Sequence, residues 1–323
     1  MIFNEFIINN ETVIDGAMST ALEKLGYNTQ NELWTAAALI DRPDLIYKVH
    51  YDYLKAGADL IMTDTYQANI MAFEKKGYSE LESKDFITKA IKIAHYARDD
   101  YEKKTGRHAY IAGTVGPYGA YLADGNEYKG DYNLSFDQYN DFFYEKIKLI
   151  IEAGVDVIGV ETQPKLSETK AILKIIQKFN SQIPLYISYT LKDATHISDG
   201  TSLSRAVANV VQNPSVLAVG INCTKLEIVE PALHVMRRVT NKPLLVYPNT
   251  SAKYDAKTKK WVKPLNKRPF ENYIAKWYDA GAQLIGGCCT TLPKEIKEIA
   301  HFVNKMHRAP AGSRRIITHR KKY

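Results

Sequence analysis

The three cysteines are the residues of this chain best suited to chemistry, and the 323-residue sequence contains no others. Cys223 ends an apolar run at 218–223, and Cys288 and Cys289 end a second run at 284–289. Three thiolates that converge on one point form a zinc site with its fourth position open, as in catalytic rather than structural zinc sites. Sulfur ligands also select zinc or Cu(I) over magnesium or calcium. A site of this kind suits the binding of a second thiol and its presentation as a nucleophile.

The same cysteines also fit a plainer interpretation, because free cysteine is often buried as a small hydrophobic residue. A disulfide explains them less well, since their number is odd and adjacent cysteines are poorly placed to bridge each other. The 65-residue separation of Cys223 and Cys288 fits no zinc-finger spacing. Any metal site must therefore be assembled by the fold.

The net charge of +7 is concentrated at the C-terminal end of the chain. From Met306 to Tyr323 there are six Lys or Arg residues and no acidic residue, so the rest of the chain is close to neutral. We therefore expect one domain over 1–306, a basic and disordered tail over 307–323, and no nucleic-acid partner. The sequence has no apolar stretch of roughly 20 residues and no secretory leader at its start, which favours a cytoplasmic protein without a membrane partner.

A repeated pattern indicates the elements that must position the cysteines. Three times a helical stretch is followed by Ala-Gly and then by a buried run, at 56–57, 153–154 and 280–281. Glycine just past a helix end stops the helix, and the apolar run predicts a parallel strand covered on both faces. The pattern predicts eight strands, at 12–18, 60–66, 109–117, 156–162, 185–191, 218–223, 243–249 and 284–289. Stretches with helical spacing lie between them, among them 44–56, 84–104, 136–153 and 226–239.

Eight alternating units in about 300 residues predict an α/β fold, a single-domain (β/α)₈ TIM barrel. An open doubly wound sheet is the main competitor, although no Gly-x-Gly-x-x-Gly follows the first strand. Active sites of such barrels lie at the carboxyl ends of the strands. The cysteines fall at the ends of the sixth and eighth predicted strands, and Asp15, Tyr66, Glu161 and Asn249 end four others. This placement favours the metal site over the packing interpretation.

Motifs throughout the chain carry a family resemblance. They are Asp-Gly-Ala-Met-Ser-Thr at 15–20, Ala-Gly-Ala-Asp at 56–59, Gly-Pro-Tyr-Gly-Ala-Tyr-Leu-Ala-Asp-Gly at 116–125, Glu-Thr at 161–162, Ser-Asp-Gly-Thr at 198–201, Gly-Ile-Asn-Cys at 220–223, Tyr-Pro-Asn at 247–249 and Gly-Gly-Cys-Cys at 286–289. From about residue 10 to 305 the chain resembles the homocysteine S-methyltransferase family, closest to the S-methylmethionine-dependent bacterial and plant enzymes. The two cysteine motifs in that order are highly specific. Two positions depart from the common pattern, Ala21 and the aspartate of Thr63-Asp64-Thr65-Tyr66.

The resemblance implies an enzyme that moves a methyl group from a sulfonium donor, S-methylmethionine or S-adenosylmethionine, to zinc-bound homocysteine thiolate, producing methionine. It implies one Zn²⁺ per chain, held by the three cysteines. Glu161 would anchor the amino group of the amino acid. The backbone after Asp15, at Gly16, Ala17 and Met18, would hold its carboxylate at the start of a helix.

The resemblance also suggests roles for other side chains. Asp15 would order the turn that follows it, and Asn222 would shape the site beside Cys223. Tyrosine rings can recognise a sulfonium as they recognise quaternary ammonium groups, which makes Tyr66, Tyr118 and Tyr121 candidates. The family resemblance also suggests that Tyr66 fills the fourth zinc position without substrate. The long loop 116–132 is a candidate lid over the site.

Other functions stay open at this point. The acceptor could be selenocysteine, or the donor could be betaine, within the same family. A barrel that senses metal or redox state without turnover would use the same cysteines. A hydrolytic zinc barrel fits less well, because such sites usually have His and carboxylate ligands with a metal-bound water.

Overall fold

The computed structural model describes residues 2–179, 182–250, 253–255, 260–262 and 270–308. The helices are α1 (Phe3–Asn9), α2 (Met18–Lys24), α3 (Ala38–Asp41), α4 (Pro43–Ala56), α5 (Ile70–Glu74), α6 (Glu80–Thr105), α7 (Tyr118–Leu122), α8 (Phe136–Glu152), α9 (Leu166–Gln177), α10 (Leu203–Val210), α11 (Leu226–Arg237), α12 (Glu271–Asp279) and α13 (Pro293–Arg308), with short 3₁₀ helices at Trp34–Ala37 and Asn126–Tyr128. The strands are β1 (Thr12–Val13), β2 (Leu60–Met62), β3 (Tyr110–Val115), β4 (Val157–Gln163), β5 (Leu185–Tyr189), β6 (Leu191–Asp193), β7 (His196–Ile197), β8 (Val216–Asn222), β9 (Leu244–Tyr247), β10 (Lys253–Asp255), β11 (Lys260–Val262) and β12 (Ala282–Ile285).

Eight parallel strands form one sheet in the order β1-β12-β9-β8-β5-β4-β3-β2. Its two outer strands meet through a parallel bridge between Ile14 and Leu60. Backbone hydrogen bonds flank this bridge, from Asp59 N to Val13 O at 2.8 Å and from Asp15 N to Leu60 O at 3.0 Å. The sheet is therefore closed into the predicted (β/α)₈ barrel, and the open doubly wound alternative is wrong.

All eight predicted strands coincide with the eight strands of the barrel. Most observed strands are shorter than predicted at their carboxyl ends; the first, predicted over 12–18, is paired only at Thr12–Val13 apart from the Ile14 bridge. The residues beyond each strand turn away from the sheet and line the end of the barrel. The Ala-Gly pattern is confirmed as a helix stop, because Gly57, Gly154 and Gly281 have φ values of 106°, 76° and 112°.

The barrel interior is filled from its amino-terminal end. Interior positions of the strands carry packed side chains, among them Leu60, Tyr110 and Leu284. Helix α1 packs Phe3 and Ile7 into the same cluster, and the Phe3 and Tyr110 rings lie 5.3 Å apart. Because α1 covers this end, the carboxyl ends of the strands form the accessible end. A second, larger layer of aliphatic side chains packs between the sheet and the surrounding helices.

The last helix, α13, packs against α4, α12 and β1, with Ile296, Ile299 and Val303 buried. It continues to Arg308, two residues past the domain boundary expected at 306. The remainder of the expected tail, 309–323, lies outside the described residues. Among the helices that the structure describes, none is both long and apolar enough to cross a bilayer.

Candidate active site

The three cysteine thiols meet at the carboxyl ends of β8 and β12. Cys223 directly follows β8, while Cys288 and Cys289 follow β12 after two glycines. The Sγ atom of Cys288 lies 2.9 Å from that of Cys223 and 3.9 Å from that of Cys289, and the Cys223–Cys289 separation is 3.4 Å. Three sulfurs at about 2.3 Å from one tetrahedral ion lie roughly 3.8 Å apart, so small rotations fit this cluster to a single soft metal ion. Among the described residues, it is the one group of three His, Cys, Asp or Glu side chains close enough for this.

The local backbone aims the cysteines at one another. Cys223 has a φ of 50°, a left-handed conformation that is unfavourable for a residue with a Cβ atom. Its N–H donates to Tyr247 O at 3.1 Å, and the N–H of Cys288 donates to Pro248 O at 2.8 Å. Both segments are thus hydrogen-bonded to the end of β9, which lies between β8 and β12. The strained turn is held by strand ends on both sides.

Two glycines of the cysteine motifs have steric reasons to be glycine. A Cβ atom on Gly220 would lie 1.8 Å from Leu245 O, in the neighbouring strand. A Cβ atom on Gly287 would lie 2.4 Å from Thr291 Oγ1. Since real side chains do not approach so closely, Gly220 is needed for the packing of β8 against β9, and Gly287 for the turn that carries Cys288 and Cys289.

Electrostatics make Cys223 the first of the three to ionise. Hydrogen bonds from the Cys288 and Cys289 thiols hold the pKa of Cys223 well below its usual range. The hydroxyl of Tyr128 lies 3.3 Å from Cys223 Sγ. Tyr128 was not predicted from the sequence, because it follows no strand and lies in the loop after β3.

Asn222 holds the strand ends around the cluster. Its Oδ1 accepts from Thr162 N at 3.0 Å and its Nδ2 donates to Thr162 Oγ1 at 2.8 Å. It also lies 3.9 Å from Cys288 Sγ. Because Thr162 belongs to β4 and Asn222 to β8, this amide connects two strands that are separated by β5. That placement agrees with the shaping role suggested for Asn222.

Two buried carboxylates, Asp15 and Glu161, line the same cavity. Asp15 Oδ2 accepts from Met62 N at 2.9 Å, while its Oδ1 is buried without a hydrogen-bond partner among the described residues. Glu161 Oε1 accepts from the Tyr186 hydroxyl. Burial raises the pKa of Glu161 to about 7 and that of Asp15 well above its usual range, and the Glu161 charge raises the pKa of Asp15 further. A cationic group bound between these two acids would favour their ionised forms and lower both pKa values.

The segment predicted to hold a carboxylate lines the cavity at the start of α2. Gly16, Ala17 and Met18 all face it. The Ala17 N–H donates to Thr291 Oγ1 at 3.2 Å and is already used. A Cβ atom on Gly16 would lie 2.8 Å from the Tyr53 hydroxyl, so this turn also requires glycine.

The predicted aromatic residues separate into two groups. Tyr66 lines the cavity, with its ring 6.1 Å from that of Trp34 and its hydroxyl under the electrostatic influence of Cys223 and Cys288. Tyr118 and Tyr121 do not line it, because their rings pack against Phe142 at 4.9 and 5.3 Å. Asn249 is buried and its N–H donates to Thr224 O at 3.2 Å, but it is not part of the lining either.

The cavity lining differs from the prediction chiefly in the loop after β3. The chain folds through α7 and the 3₁₀ helix Asn126–Tyr128, which brings Glu127 and Tyr128 rather than Tyr118 into the cavity. Gly119 permits this fold, since a Cβ atom there would lie 2.6 Å from the backbone of Asn126. The lining also includes Trp34, Thr35 and Asp64, for which strand ends gave no signal. Among the residues that the structure describes, the lining contains four carboxylates and no Lys or Arg.

The fold and the thiol cluster together define a (β/α)₈ barrel with a group of three cysteines that could hold a metal ion. The family model described as homocysteine S-methyltransferase matches residues 12–303. The chain belongs to the homocysteine S-methyltransferase family.

Individual relatives are similar to this chain over most of their length. Homocysteine S-methyltransferase YbgG of Bacillus subtilis is 40% identical over 299 residues, which cover 91% of this chain and 95% of the relative. The Escherichia coli homocysteine S-methyltransferase is 41% identical over 287 residues, covering 88% and 92%. A crystal structure of the Escherichia coli homocysteine methyltransferase MmuM, described as a metallated form, superposes with a TM-score of 0.82 at 38% identity, covering 91% of this chain and 96% of that one.

Proposed function

We propose that this protein transfers a methyl group from a sulfonium donor, with S-methylmethionine as the principal candidate, to the thiolate of homocysteine, and that its resident metal is zinc. The convergence of three thiols beside buried carboxylates, in a cavity whose described lining has no cationic side chain, carries this proposal. Family membership supports homocysteine as the acceptor.

Cys223, Cys288 and Cys289 would hold the zinc ion through their sulfur atoms. When bound, zinc supplies the acidity that keeps a coordinated substrate thiol ionised at neutral pH, where a free thiol with a pKa of about 8.5 is mostly protonated. Three cysteinates give the ion an excess of negative charge, which keeps a bound sulfur nucleophilic and favours a positively charged donor nearby.

Asp15 and Glu161 are the groups proposed to bind the amino group of homocysteine. The buried Oδ1 of Asp15 has lone pairs available to an ammonium group, and Glu161 lies close enough to act on Asp15 electrostatically. An ammonium between them would offset their mutual repulsion and lower both pKa values. The backbone of 16–18 would orient the carboxylate, leaving the substrate sulfur directed at the cysteine cluster.

Methyl transfer then requires alignment more than proton transfer. The electron pair of the homocysteine thiolate forms a new S–C bond to the methyl carbon as the S–C bond of the sulfonium breaks. The electron pair of the broken bond stays on the departing sulfur, which leaves as a neutral thioether and needs no proton. Trp34, Tyr66 and Tyr128 wall the cavity and would hold the donor in line while excluding water.

Removal of single sulfur ligands tests the proposal. In Cys223→Ser, Cys288→Ser and Cys289→Ser, we expect zinc content to fall from about one ion per chain and methionine formation to fall more than about 100-fold, because three ligands are needed to keep the site. Zinc is measured by atomic absorption, and methionine formation is measured with homocysteine and each sulfonium donor, with and without a chelator. Thr224→Ser, which changes the residue beside Cys223 and no sulfur, is the matched control. Full methyl transfer by a variant without cysteines would overturn the proposal.

Selenocysteine is a second candidate acceptor, favoured by one specific observation. The selenocysteine Se-methyltransferase of Brassica oleracea is 39% identical to this chain over 301 residues, covering 89% of this chain and 87% of the relative. Competition between homocysteine and selenocysteine for a limiting donor would rank the two acceptors directly.

A further inference from the structure

Two carboxylates that the mechanism above does not use face the same cavity. Asp64 is only 3% exposed, and its Oδ1 accepts from Thr35 Oγ1 at 2.5 Å. Its Oδ2 is buried and has no hydrogen-bond partner among the described residues, and the same is true of Glu127 Oε2. Both residues belong to the cavity lining.

Among the described residues, the cavity lining supplies no positive charge to these two groups, since it contains no Lys or Arg. Lys146 attracts Asp64 electrostatically but donates its Nζ to Tyr66 O at 3.0 Å, and Lys129, which attracts Glu127, is not part of the lining. A buried carboxylate oxygen without a hydrogen-bond donor is costly, so such groups are ordinarily satisfied by a partner. The arrangement points to a ligand that brings its own cation and its own N–H donors.

The two carboxylates have different neighbours in the cavity. Glu127 directly precedes Tyr128, whose hydroxyl lies 3.3 Å from Cys223 Sγ, and Cys223 acts on Glu127 electrostatically. Asp64 accepts from Thr35 Oγ1 and is attracted by Lys146. Tyr66 is two residues past Asp64 and Trp34 directly precedes Thr35, and their rings lie edge to face. The contact between the Trp34 and Tyr66 rings thus joins the segment that contains Thr35 to the segment that contains Asp64.

We propose that Asp64 and Glu127 form the donor-recognition part of this cavity, with Glu127 facing the sulfonium centre and Asp64 binding the α-ammonium group of the donor. This inference rests on the proposed function and specifies its donor class as sulfonium compounds that carry an amino group. A sulfonium has no N–H or O–H to donate, so charge and aromatic rings stabilise it near the cysteines. An ammonium has three donors and satisfies the free oxygen of Asp64.

Donor discrimination follows from the unsatisfied oxygen. A donor without the amino group would leave Asp64 Oδ2 buried and unpaired, and sites built to hydrogen-bond a substrate group reject analogues that lack it. S-methylmethionine and its des-amino analogue, (3-carboxypropyl)dimethylsulfonium, have the same reacting centre and differ at this group alone. We expect the wild-type protein to prefer S-methylmethionine.

The test compares kcat/KM for these two donors, at saturating homocysteine, in the zinc-loaded wild type, Asp64→Asn and the control Asp85→Asn, whose residue is exposed on α6. Asp64→Asn is expected to lower kcat/KM for S-methylmethionine roughly 10- to 100-fold, mostly through KM, because a buried charge pair is lost. The des-amino analogue should change by less than about twofold, which removes the preference. Zinc content and the KM for homocysteine should match those of the wild type.

Glu127→Gln provides the complementary measurement. Because both donors carry the sulfonium, this variant should lower kcat/KM for both donors to a similar extent. If Asp64→Asn does not fold, Asp64→Ser is the second neutral variant, and the same loss of preference is expected of it.

The outcomes separate the inference from the function on which it rests. The inference is overturned if Asp64→Asn keeps the wild-type preference for S-methylmethionine or lowers kcat/KM for both donors equally. Either result leaves the proposed methyl transfer intact. Failure of the zinc-loaded wild type to use any sulfonium donor overturns the proposed function, and the donor role of Asp64 with it.

Discussion

Asp64, Glu127 and Glu161 are carboxylic acids whose pKa is raised to about 7, chiefly by burial, from ordinary values of 3.8 for Asp and 4.5 for Glu. At pH values between the ordinary pKa of each group and about 7, the folded protein binds more protons than the unfolded chain. The stabilisation that each group provides is therefore fully present below its unfolded pKa and is lost as pH rises through about 7. Side chains placed to receive cationic ligands thus lower the stability of the ligand-free fold at neutral pH.

Asp64→Asn should change how stability depends on pH. In protein stripped of metal and substrates, we expect the stability of this variant relative to the wild type to rise by roughly 2–4 kcal/mol between pH 4 and pH 8, because the amide cannot ionise. Urea unfolding followed by circular dichroism at both pH values measures the difference. Asp85→Asn, at an exposed position, should show almost no such change. Parallel pH profiles for Asp64→Asn and the wild type would contradict the burial effect.

Among individual site residues, the sequence predicts those that stand directly at strand ends. The cysteines, Asp15, Glu161 and Tyr66 follow apolar strand bodies, and the barrel brings all of them to one cavity. Asp64 lies within a predicted strand, where alternation alone does not reveal that its side chain faces the cavity. Its partner Thr35 belongs to a different segment, so their contact depends on the tertiary fold.

Among the described elements, the segment from β3 to α8 brings a side chain, Tyr128, to within 3.3 Å of Cys223 Sγ. It is tied to the next unit by Glu168 of α9, which accepts from Tyr132 Oη at 2.5 Å and from Tyr118 N at 2.6 Å. Lys165 adds a hydrogen bond from its Nζ to Asn133 Oδ1 at 3.0 Å. These contacts hold the chain so that Tyr128 reaches Cys223. Whether this segment opens as a lid stays a prediction.

Tyr132→Phe should loosen this segment without touching the cavity. A hydrogen bond to a buried acidic group contributes about 1.5–3 kcal/mol, so its loss should speed amide hydrogen exchange over 118–132 and lower kcat/KM for the donor about 10-fold. Zinc content should not change. Tyr96→Phe is the matched control, because Tyr96 is 63% exposed on α6. Exchange rates equal to those of the wild type would show that Glu168 does not secure the segment.

The difference between prediction and structure in this segment has a clear physical origin. The motif at 116–125 predicts a long loop, and Tyr118 stands at its strand end. The close approach that Gly119 allows lets the chain fold back on itself and turns Tyr118 toward Phe142. Such packing depends on α8, so residues distant in sequence decide which loop side chains enter the site.

For the whole molecule, the eight alternating strand and helix patterns, together with the glycines that end helices, are sufficient to predict the barrel. The prediction succeeds because each unit repeats the same local signals, and eight such units admit few other closed arrangements. The five Lys or Arg after Arg308 lie outside the described residues. Helix α13, which precedes them, packs Ile296, Ile299 and Val303 on the barrel.

A protein that ends after Arg308 should therefore behave as the full-length chain does. We expect its free energy of unfolding to lie within about 0.5 kcal/mol of the full-length value, with zinc content and methyl transfer unchanged. Retention on a cation-exchange column should decrease, because positive charge is removed. Loss of activity on this truncation would assign the segment a role in the site.

The cysteines proposed as metal ligands follow the sixth and the last strands of the barrel, and Cys223 and Cys288 are 65 residues apart in the chain. During translation, Cys223 leaves the ribosome well before Cys288 and Cys289, so a nascent or prematurely terminated chain presents a lone thiol in place of the triad. Tight metal loading must therefore await synthesis of the last barrel strand, and an ion bound there would join the final β-α unit of the barrel to an earlier part of the polypeptide. In biogenesis, metal uptake would mark the chains in which all eight barrel strands have been made.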